Sequence, residues 1–456
     1  MVRWNRIWGM GLVGCAAWAP LAAQSLWLPA SDPVGIGRSG AGIAFGQSLE
    51  AASLNPALLV TIKDHASAYL GLGMEMASSQ ITLQSNQRHL YSNDRNRVLP
   101  SFGASWRLNE RFALGLKVDS PFMRHAELSP ESSVRFMGSR LDLSTHRLEV
   151  QAGWALRPDV SLGLGLGMTR IHFASGSHFR SVIPTDPTQA VSSTNPSLAL
   201  VETEGYQEGN LNALSWSLGG RWAINPRWTL AIAYQSAIKG TPSLSTRAGD
   251  YSSTYVANDG FGPAPLGIET LGSVVLNQIH YRPGSGDVNL PDKASIGVRH
   301  RLNPFFTWEF DLRFVGSSRL SLPGPAVLTT TANGDVNGPA LPTGYRSGYG
   351  ASVMGELNVL KGWTFRLGAS IDPAFQVDQA VNPLLSGARN AAFSVGATYE
   401  IWGGEASFGY QFRQNRDIDS STMEGVWNRF GYHPTGTTSR VEGMGHLWAF
   451  GFKRRF

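Results

Sequence analysis

The chain has 456 residues, of which 42% are apolar and only 16% are charged, and its formal net charge is +5. The positive excess is spread along the chain without a long basic run, so nucleic-acid binding has little support. Length alone does not separate several soluble domains from one large β-barrel. The 52 glycines and 14 tryptophans favour the barrel, because glycine suits tightly curved strands and tryptophan favours membrane–water boundaries.

The first 23 residues have the pattern of a secretory signal. Two arginines precede an apolar stretch from Ile7 to Trp18, and a run of small residues ends at Ala23. We therefore predict that residues 1–23 are removed on export. The alternative is lipoprotein processing at Cys15, the only cysteine, which would leave an unusually short signal. No later window holds the roughly 20 consecutive apolar residues of a spanning helix, so a membrane crossing would use strands.

The Gly- and Ala-rich stretch from Gly35 to Leu59 lacks the alternation that dominates the rest of the chain. It precedes the first alternating segment and contains the step Asn55-Pro56-Ala57. Small residues allow close backbone packing, and Asn-Pro favours a turn. We predict that residues 24–62 form a plug, or hatch, in the lumen of a barrel. Taken alone, the Asn-Pro step is better explained as an ordinary turn.

From residue 63 onward, segment after segment alternates with period 2. Leucine and methionine alternate with glycine between Leu162 and Met168, and aromatic residues alternate with polar ones between Phe306 and Phe314. One face is therefore apolar and aromatic, and the other is small, hydroxylated or charged. A membrane barrel turns the apolar face to lipid, whereas a soluble β-sandwich or propeller would have to bury all the tryptophans. The pattern predicts an all-β protein, with a transmembrane antiparallel β-barrel over residues 63–456.

About fourteen candidate strands can be counted, an even number as in single-chain outer-membrane barrels. They cover residues 66–84, 97–107, 111–120, 140–156, 159–173, 209–223, 227–238, 292–302, 305–316, 345–359, 362–372, 390–401, 404–413 and 441–455. Several connections are short turns, such as Asn225-Pro226 and Asn303-Pro304, and they alternate with long polar segments rich in glycine and proline. Short turns on one side and long loops on the other are typical of an outer-membrane barrel.

The last predicted strand ends on Phe456, which lies on the same face as Trp448 and Phe450. A terminal aromatic residue on an alternating strand is the kind of signal that outer-membrane assembly machinery recognises. We therefore predict the cell outer membrane as the location and this machinery as a partner. The alternative is an amphipathic strand that ends in phenylalanine by chance.

Four motifs occur in order along the chain: Gly35 to Leu59, then Asp119-Ser120-Pro121-Phe122, then Leu290-Pro291-Asp292, then a run from Trp363 through Arg366 to Ala397. In series they resemble the FadL/TodX-type (OmpP1-like) family of outer-membrane transporters for long-chain fatty acids and other hydrophobic compounds. The glycine that usually follows Pro-Phe in that family is Met123 here.

The resemblance implies a fourteen-stranded barrel with a lumenal hatch, passive hatch-gated uptake and lateral exit of ligand through the wall. Asn55, Pro56 and Ala57 are then candidates for gating. Pro121 has no backbone donor, and with Phe122 it would mark a kinked third strand with a lateral opening. The alternative is that Pro121 only ends a strand at an ordinary loop.

Six further residues are candidates for contact with ligand. Arg366 and Arg389 would suit a substrate carboxylate through bidentate contact. The alternative for each is pairing with an acidic group in the lumen, because an unpaired buried charge is costly. Apolar stretches of the long loops would supply an outer capture groove, or would pack against one another. The residues singled out in these stretches are Leu198, Leu200, Phe261 and Leu266.

No motif calls for a cofactor, a metal ion or an active site. The formal G-x-G-x-x-G at Gly35–Gly40 follows no strand, G-x-S-x-G and H-E-x-x-H are absent, and the ten histidines have no metal-ligand spacing. We expect a monomeric transporter that is not an enzyme and that contacts a hydrophobic small molecule and outer-membrane lipid. A porin-like channel for polar solutes and an outer-membrane barrel hydrolase are the alternatives. The choice among fatty acid, aromatic and alkane substrates stays open.

Overall fold

A closed antiparallel sheet of fourteen wall strands makes up most of the chain. The computed structural model describes residues 28, 30–46, 48–83, 88–92, 96–128, 138–184, 198–256, 265–266, 279–330, 334–336, 344–376, 384–385, 389–420 and 439–456. The wall strands are β1 (Ala66–Leu83), β2 (Arg97–Arg107), β3 (Phe112–Asp119, continued by Met123–Glu127), β4 (Arg140–Arg157), β5 (Val160–Pro184), β6 (Leu198–Ala223), β7 (Trp228–Gln235), β8 (Lys293–Arg301), β9 (Phe306–Val315), β10 (Gly348–Leu360), β11 (Trp363–Asp372), β12 (Arg389–Ile401), β13 (Gly404–Ser420) and β14 (Ser439–Arg455). Each strand pairs with the next along the chain, and β14 pairs with β1 to close the barrel.

Short strands extend the wall or lie on its loops. Arg88–Ser92 pairs with the end of β1, and Ser243–Val256 pairs with β6 beyond the end of β7. The remaining short strands are Pro265–Leu266, which pairs with Ser243–Val256, Ile238–Gly240 with Val288–Leu290, and a three-stranded sheet of Ile279–Arg282, Val327–Thr330 and Gly334–Val336.

The wall strands turn their apolar side chains outward, as the alternation predicts. Leu166 is 63% exposed, whereas Glu149 and Thr169 on the inward faces of β4 and β5 are fully buried. An exterior of leucine, valine and aromatic side chains is what a hydrocarbon environment requires, because the backbone polar groups are satisfied within the ladder.

Three of the short turns are capped by an asparagine side chain in the same way. Asn109, Asn225 and Asn303 each accept, through the side-chain oxygen, hydrogen bonds from the backbone N–H groups two and three residues later, at 2.8–2.9 Å. An asparagine that satisfies the turn backbone in this way fixes a tight reversal. The Asn-Pro steps read from the sequence are two of these three turns.

The segment before β1 folds into short helices: α1 (Pro33–Gly37), α2 (Leu49–Ala52) and a 3₁₀ helix (Pro56–Thr61). It contacts widely separated parts of the wall. The Ala44 N–H donates to Glu309 of β9 at 2.7 Å, Lys117 of β3 donates to the Ser53 carbonyl at 2.7 Å, and Ser161 of β5 donates to the Ala57 carbonyl at 2.8 Å. These contacts place the segment inside the barrel.

The predicted leader, residues 1–23, lies outside the described residues, and the boundary at residue 62 stays a prediction. Within the part of the chain that the structure describes, no helix is long and apolar enough to cross a membrane.

Candidate functional site

The third wall strand is interrupted at Ser120–Phe122. On β4, the register passes from Asp119↔Arg147 to Met123↔Ser144, so three residues of β3 face two residues of β4. This one-residue excess is a β-bulge, which bends the strand that carries it. Because the strand resumes at Met123, the interruption lies within the wall and not at a loop.

Phe122 is tied to β4 although Pro121 has no N–H to donate. The Phe122 N–H donates to Thr145 Oγ1 at 2.9 Å, and the Thr145 hydroxyl and N–H donate to the Phe122 carbonyl at 2.7 and 3.1 Å. The threonine side chain thus replaces part of the ladder that the proline interrupts.

On its other edge the interrupted strand loses its partner. The β2–β3 ladder ends at Phe102↔Val118, and among the described residues Arg97–Ser101 of β2 pair with β1 but not with Met123–Glu127. A hydrogen bond from Arg97 Nη2 to the His125 carbonyl, at 3.4 Å, spans this edge. The wall therefore has a gap beside Pro121 and Phe122, the residues singled out from the sequence.

A small cavity lies behind the gap. Pro121, Phe122, Ile238, Pro291 and Val315 form its apolar lining, and the polar lining is Arg147, Gln235, Ser236 and Lys293. Its free volume is about 10 Å³, close to that of one water molecule. The N-terminal segment reaches this place, because the Leu28 N–H donates to the Pro121 carbonyl at 3.1 Å. A long ligand can occupy the cavity only after its lining moves.

The polar side of the cavity belongs to a buried charge cluster. Arg147 binds Asp119 through two nitrogens, at 2.9 and 2.6 Å, which is the bidentate geometry typical of arginine and carboxylate. Lys117 Nζ lies 3.5 Å from Asp119 and 3.7 Å from Glu149. Arg147 and Lys293, which border the cavity, were not among the candidates named from the sequence.

The cavity adjoins an apolar cluster in the upper lumen, by which we mean the half of the lumen on the side of the long loops. Inward side chains of β4, β5 and β6 contribute to it, together with loop residues. Its buried members are Phe122, Ala126, Leu128, Leu141, Leu143, Ile171, Phe173, Leu211, Ala213, Ile238, Val288, Leu290, Leu320, Leu384 and Leu385. An apolar interior that reaches both the long loops and the gap in the wall suits an apolar ligand.

The lower lumen, by which we mean the half of the lumen on the side of the short turns, holds the N-terminal segment. Asn55 caps the 3₁₀ helix by accepting from the Ala57 N–H at 3.0 Å, and its amide nitrogen donates to the carbonyls of Ile43 and Gly220 at 2.8 and 3.3 Å. The backbone of Pro56 and Ala57 lies so close to Gly163 that a Cβ there would overlap it. The Asn-Pro-Ala step is therefore a docking point on the wall.

Two carboxylates of β9 bind one turn of the same segment. Asp311 accepts from the N–H groups of Gly42 and Ile43 at 2.9 and 3.4 Å, and Glu309 accepts from Ala44 at 2.7 Å. Consecutive backbone N–H groups directed at two buried acidic side chains form a set of directional hydrogen bonds.

The two arginines proposed from the sequence as ligand contacts lie apart from the cavity. Arg366 donates to Glu356 at 2.8 Å and to Thr398 at 2.6 Å, and Glu356 also accepts from Arg38 of the N-terminal segment at 2.8 Å. Arg389 is exposed at the start of β12. The contacts of Arg366 fit the alternative role of lumenal charge pairing.

Three of the four apolar loop candidates lie in strands and not in loops. Leu198 and Leu200 begin β6, and Leu266 pairs with Thr254, but only their backbone is described. Phe261 lies outside the described residues. Within the described part of the chain, no group of three or more histidine, cysteine, aspartate and glutamate side chains is placed to hold a metal ion.

A closed fourteen-stranded barrel with an apolar exterior is the architecture of an outer-membrane β-barrel protein. The family described as "Outer membrane protein transport protein (OMPP1/FadL/TodX)" matches residues 13–456, and the chain belongs to this family. The predicted family, barrel architecture, outer-membrane location and transport of fatty acids or other hydrophobic compounds are thereby confirmed.

Individual relatives are distant in sequence but cover nearly the whole chain. The long-chain fatty acid transport protein of Escherichia coli O6:H1 is 23% identical over 462 aligned residues, which cover 97% of this chain and 95% of that protein. A FadL homologue of Pseudomonas aeruginosa has a TM-score of 0.73 at 16% identity, covering 95% of this chain and all of the other. The Ralstonia pickettii toluene transporter TbuX has a TM-score of 0.57 at 16% identity, covering 94% and 99%. These structures share the fold.

Proposed function

We propose that this protein takes up long-chain carboxylic acids by a passive route through the upper lumen, with lateral exit at the gap beside Pro121. The main observation that supports this proposal is the cavity, because three features meet there: the apolar cluster, the gap in β3, and the side chains of Arg147 and Lys293. An acyl chain gains roughly 25 cal/mol per Å² on leaving water, which favours an apolar path over a water-filled pore. A lateral exit delivers the chain to the bilayer without crossing the polar lower lumen.

The cations favour a fatty acid over a hydrocarbon as substrate. Lys293 borders the cavity and can donate to a carboxylate there, a hydrogen bond of the stronger kind, while Arg147, whose Nε and Nη2 bind Asp119, adds positive charge beside it. The Escherichia coli relative is a long-chain fatty acid transport protein, which supports the same choice. Toluene is the second candidate substrate, because two structures of this fold, TbuX and TodX, are toluene transporters.

Binding of palmitate and of palmitate methyl ester separates these substrates. In Lys293→Gln, we expect palmitate affinity to fall by roughly ten- to a hundredfold, because one charged hydrogen bond is lost. The methyl ester has the same chain without the charge, so its affinity is expected to stay unchanged. Arg366→Gln is the control for a lumenal arginine away from the cavity. Equal losses for acid and ester, or no loss for either, would contradict the carboxylate assignment.

We further propose that residues 24–62 act as a hatch that must shift for ligand to pass, with Asn55, Pro56 and Ala57 at its docking point. The support is the contact of this segment with Pro121 through Leu28, at the gap itself. A disulfide between the segment and the wall would test this role, because it should stop uptake until it is reduced. Residues 1–23 are proposed to be the removed leader.

Two assembly properties are proposed as well. Phe456 is exposed, and its backbone bonds to Ala66 at 2.8 and 3.3 Å, at the seam where the barrel closes. This position supports recognition of Phe456 by the assembly machinery. Because the strands of a single chain close the barrel, we also propose that it functions as a monomer. Phe456→Ala is expected to lower the amount of folded barrel in the outer membrane, as measured by heat-dependent gel mobility.

A further inference from the structure

The seventh wall strand is also interrupted. The β6–β7 ladder runs from Ala223↔Thr229 to Ser217↔Gln235. Trp216 and Ser236 continue it with two hydrogen bonds of 2.9 Å, one of them from the Trp216 N–H to the serine hydroxyl. The next ladder on this edge of β6 begins only at Asn210↔Ser243. Among the described residues, 211–215 therefore have no strand partner on this edge.

The chain that should fill this part of the wall turns into the lumen. Ile238–Gly240 pairs with Val288–Leu290 and not with β6. Ile238, Val288 and Leu290 are all buried in the upper-lumen cluster. The wall thus has a second gap in its strand pairing, between β6 and the chain that leaves β7, and on the lumenal side Gly240 lies against Leu211 of β6.

Both gaps border the same cavity. Ser236 and Ile238, at the second gap, line it together with Pro121 and Phe122 at the first. On the outside, Leu214 at the edge of the second gap is 81% exposed, so this edge faces the surroundings of the barrel. A ligand in the cavity therefore has two interruptions of the wall pairing beside it.

The edge of the second gap carries backbone polar groups. In an antiparallel ladder alternate residues direct N–H and C=O to the same neighbour, and Trp216 directs both toward β7. Leu214 and Asn212 lie two and four residues before Trp216 on the same strand, so their backbone N–H and C=O groups are directed into the gap. Lipid tails cannot satisfy such groups, and membrane proteins place open backbone only where it lines a cavity or is buried in protein.

We propose that the second gap is a further lateral portal, at which the backbone of Asn212 and Leu214 binds the acidic headgroup of a departing or entering ligand. A carboxyl group supplies acceptors for these N–H groups, whereas a hydrocarbon supplies none. The acyl chain lies on the apolar row that includes Leu214. This portal rests on the proposed uptake of carboxylic acids and adds a route that the interrupted third strand does not provide.

Site-specific photo-crosslinking tests the portal in the full chain reconstituted in lipid vesicles. A photoreactive amino acid at position 214 probes the gap, and one at Leu166 is the control, because Leu166 is also exposed but lies in a ladder on both edges. The probe is tritiated palmitic acid, with palmitic acid methyl ester for comparison. Ile238 reports arrival in the cavity, and Asn212 is a second position on the gap edge.

We expect saturable labelling by palmitic acid at 214 to exceed that at 166 roughly five- to thirtyfold, the ratio for one or two hydrogen bonds. The ester should label 214 less than the acid does. Equal labelling at 214 and 166, with saturable labelling at 238, would overturn the portal and leave the proposed function standing. Absence of saturable labelling at 238 would overturn both.

Discussion

The lower and upper halves of the lumen are filled by different physical means. In the lower lumen, backbone lies against glycine and carboxylates bind backbone N–H groups, as at Gly163 and Asp311. In the upper lumen, the contacts are between apolar side chains such as Leu143 and Phe173, and loop residues complete the cluster.

This difference separates the fixed part of the lumen from the replaceable part. Hydrogen bonds and glycine contacts are directional, so the N-terminal segment fits the lower lumen in one position. Apolar packing is not directional, so an acyl chain can take the place of loop side chains in the upper lumen at little cost. The four predictions below test that division, from the largest expected effect to the smallest.

Phe173→Ala tests whether the upper lumen is a packed apolar core. Removing a buried phenylalanine side chain is expected to lower the free energy of unfolding by about 3–5 kcal/mol. The control is Leu166→Ala on the lipid face of the same strand, where less than about 1 kcal/mol is expected, since lipid replaces the lost contacts. Urea titration of the folded barrel in vesicles measures both. Similar losses in the two variants would mean that the cluster is not a dry core.

Gly163→Ala tests the fit of the N-terminal segment in the lower lumen. The new Cβ would overlap the backbone of Pro56 and Ala57, so we expect docking of the segment to weaken by about 1–3 kcal/mol. Ion conductance across planar bilayers should rise as the lumen opens. Gly167→Ala on the same inward face is the control, because its Cβ would come no closer than 3.0 Å to a neighbouring atom, against 2.3 Å at Gly163. Unchanged conductance in Gly163→Ala would show that the segment tolerates displacement at this point.

The double variant Glu309→Gln with Asp311→Asn tests the charged contact with the turn at 42–44. The amides should weaken it by roughly 1–2 kcal/mol, because the acidic pair loses its charge and each amide must direct its oxygen, not its nitrogen, to the N–H groups. Hydrogen exchange of the Gly42 and Ala44 amides should accelerate accordingly. Glu110→Gln, in an exposed turn, is the control and should change nothing. Equal protection before and after the change would show that Glu309 and Asp311 do not anchor the segment.

The wall was predictable from the sequence because its physics is local. Alternation fixes which face of a strand meets lipid, and the Asn-Pro steps mark turns whose capping is confined to four residues. The third predicted strand, 111–120, agrees with Phe112–Asp119 to within a residue. By contrast β5 extends to Pro184, well past the predicted end at 173, since strands above the membrane no longer need an apolar outer face.

The cavity was not predictable because it depends on barrel closure. The inward direction of Arg147 follows from the alternation of β4, but its approach to Lys293, nearly 150 residues away, requires the register of the whole sheet. The gap that follows β7 was not predictable either, because the sequence of residues 227–238 alternates as one continuous strand. Arg366 was singled out instead. Its partner Glu356 comes from β10 and also accepts from Arg38 of the N-terminal segment, so only the fold brings these three groups together.

The titration of Asp32 has the smallest expected effect and is the most specific test of how the N-terminal segment docks in the lower lumen. It caps α1 by accepting from the Gly35 N–H at 2.7 Å, and burial, followed by the nearby Glu50 carboxylate, raises its pKa to about 6. Because the docked segment binds this proton more tightly than an undocked one, docking strengthens as the pH falls through 6 and levels off near the ordinary pKa of 3.8.

We expect the gain to be about 1 kcal/mol between pH 6 and pH 5, measured as added hydrogen-exchange protection of the α1 amides after correction for the intrinsic exchange rate. Asp32→Asn should remove the pH dependence, because the amide keeps the capping acceptor without the titrating proton. If protection instead rose with pH, Asp32 would be bound as a carboxylate by a cation. The first turn of the segment would then be anchored by charge pairing, like Arg366 with Glu356, and not by a buried neutral cap.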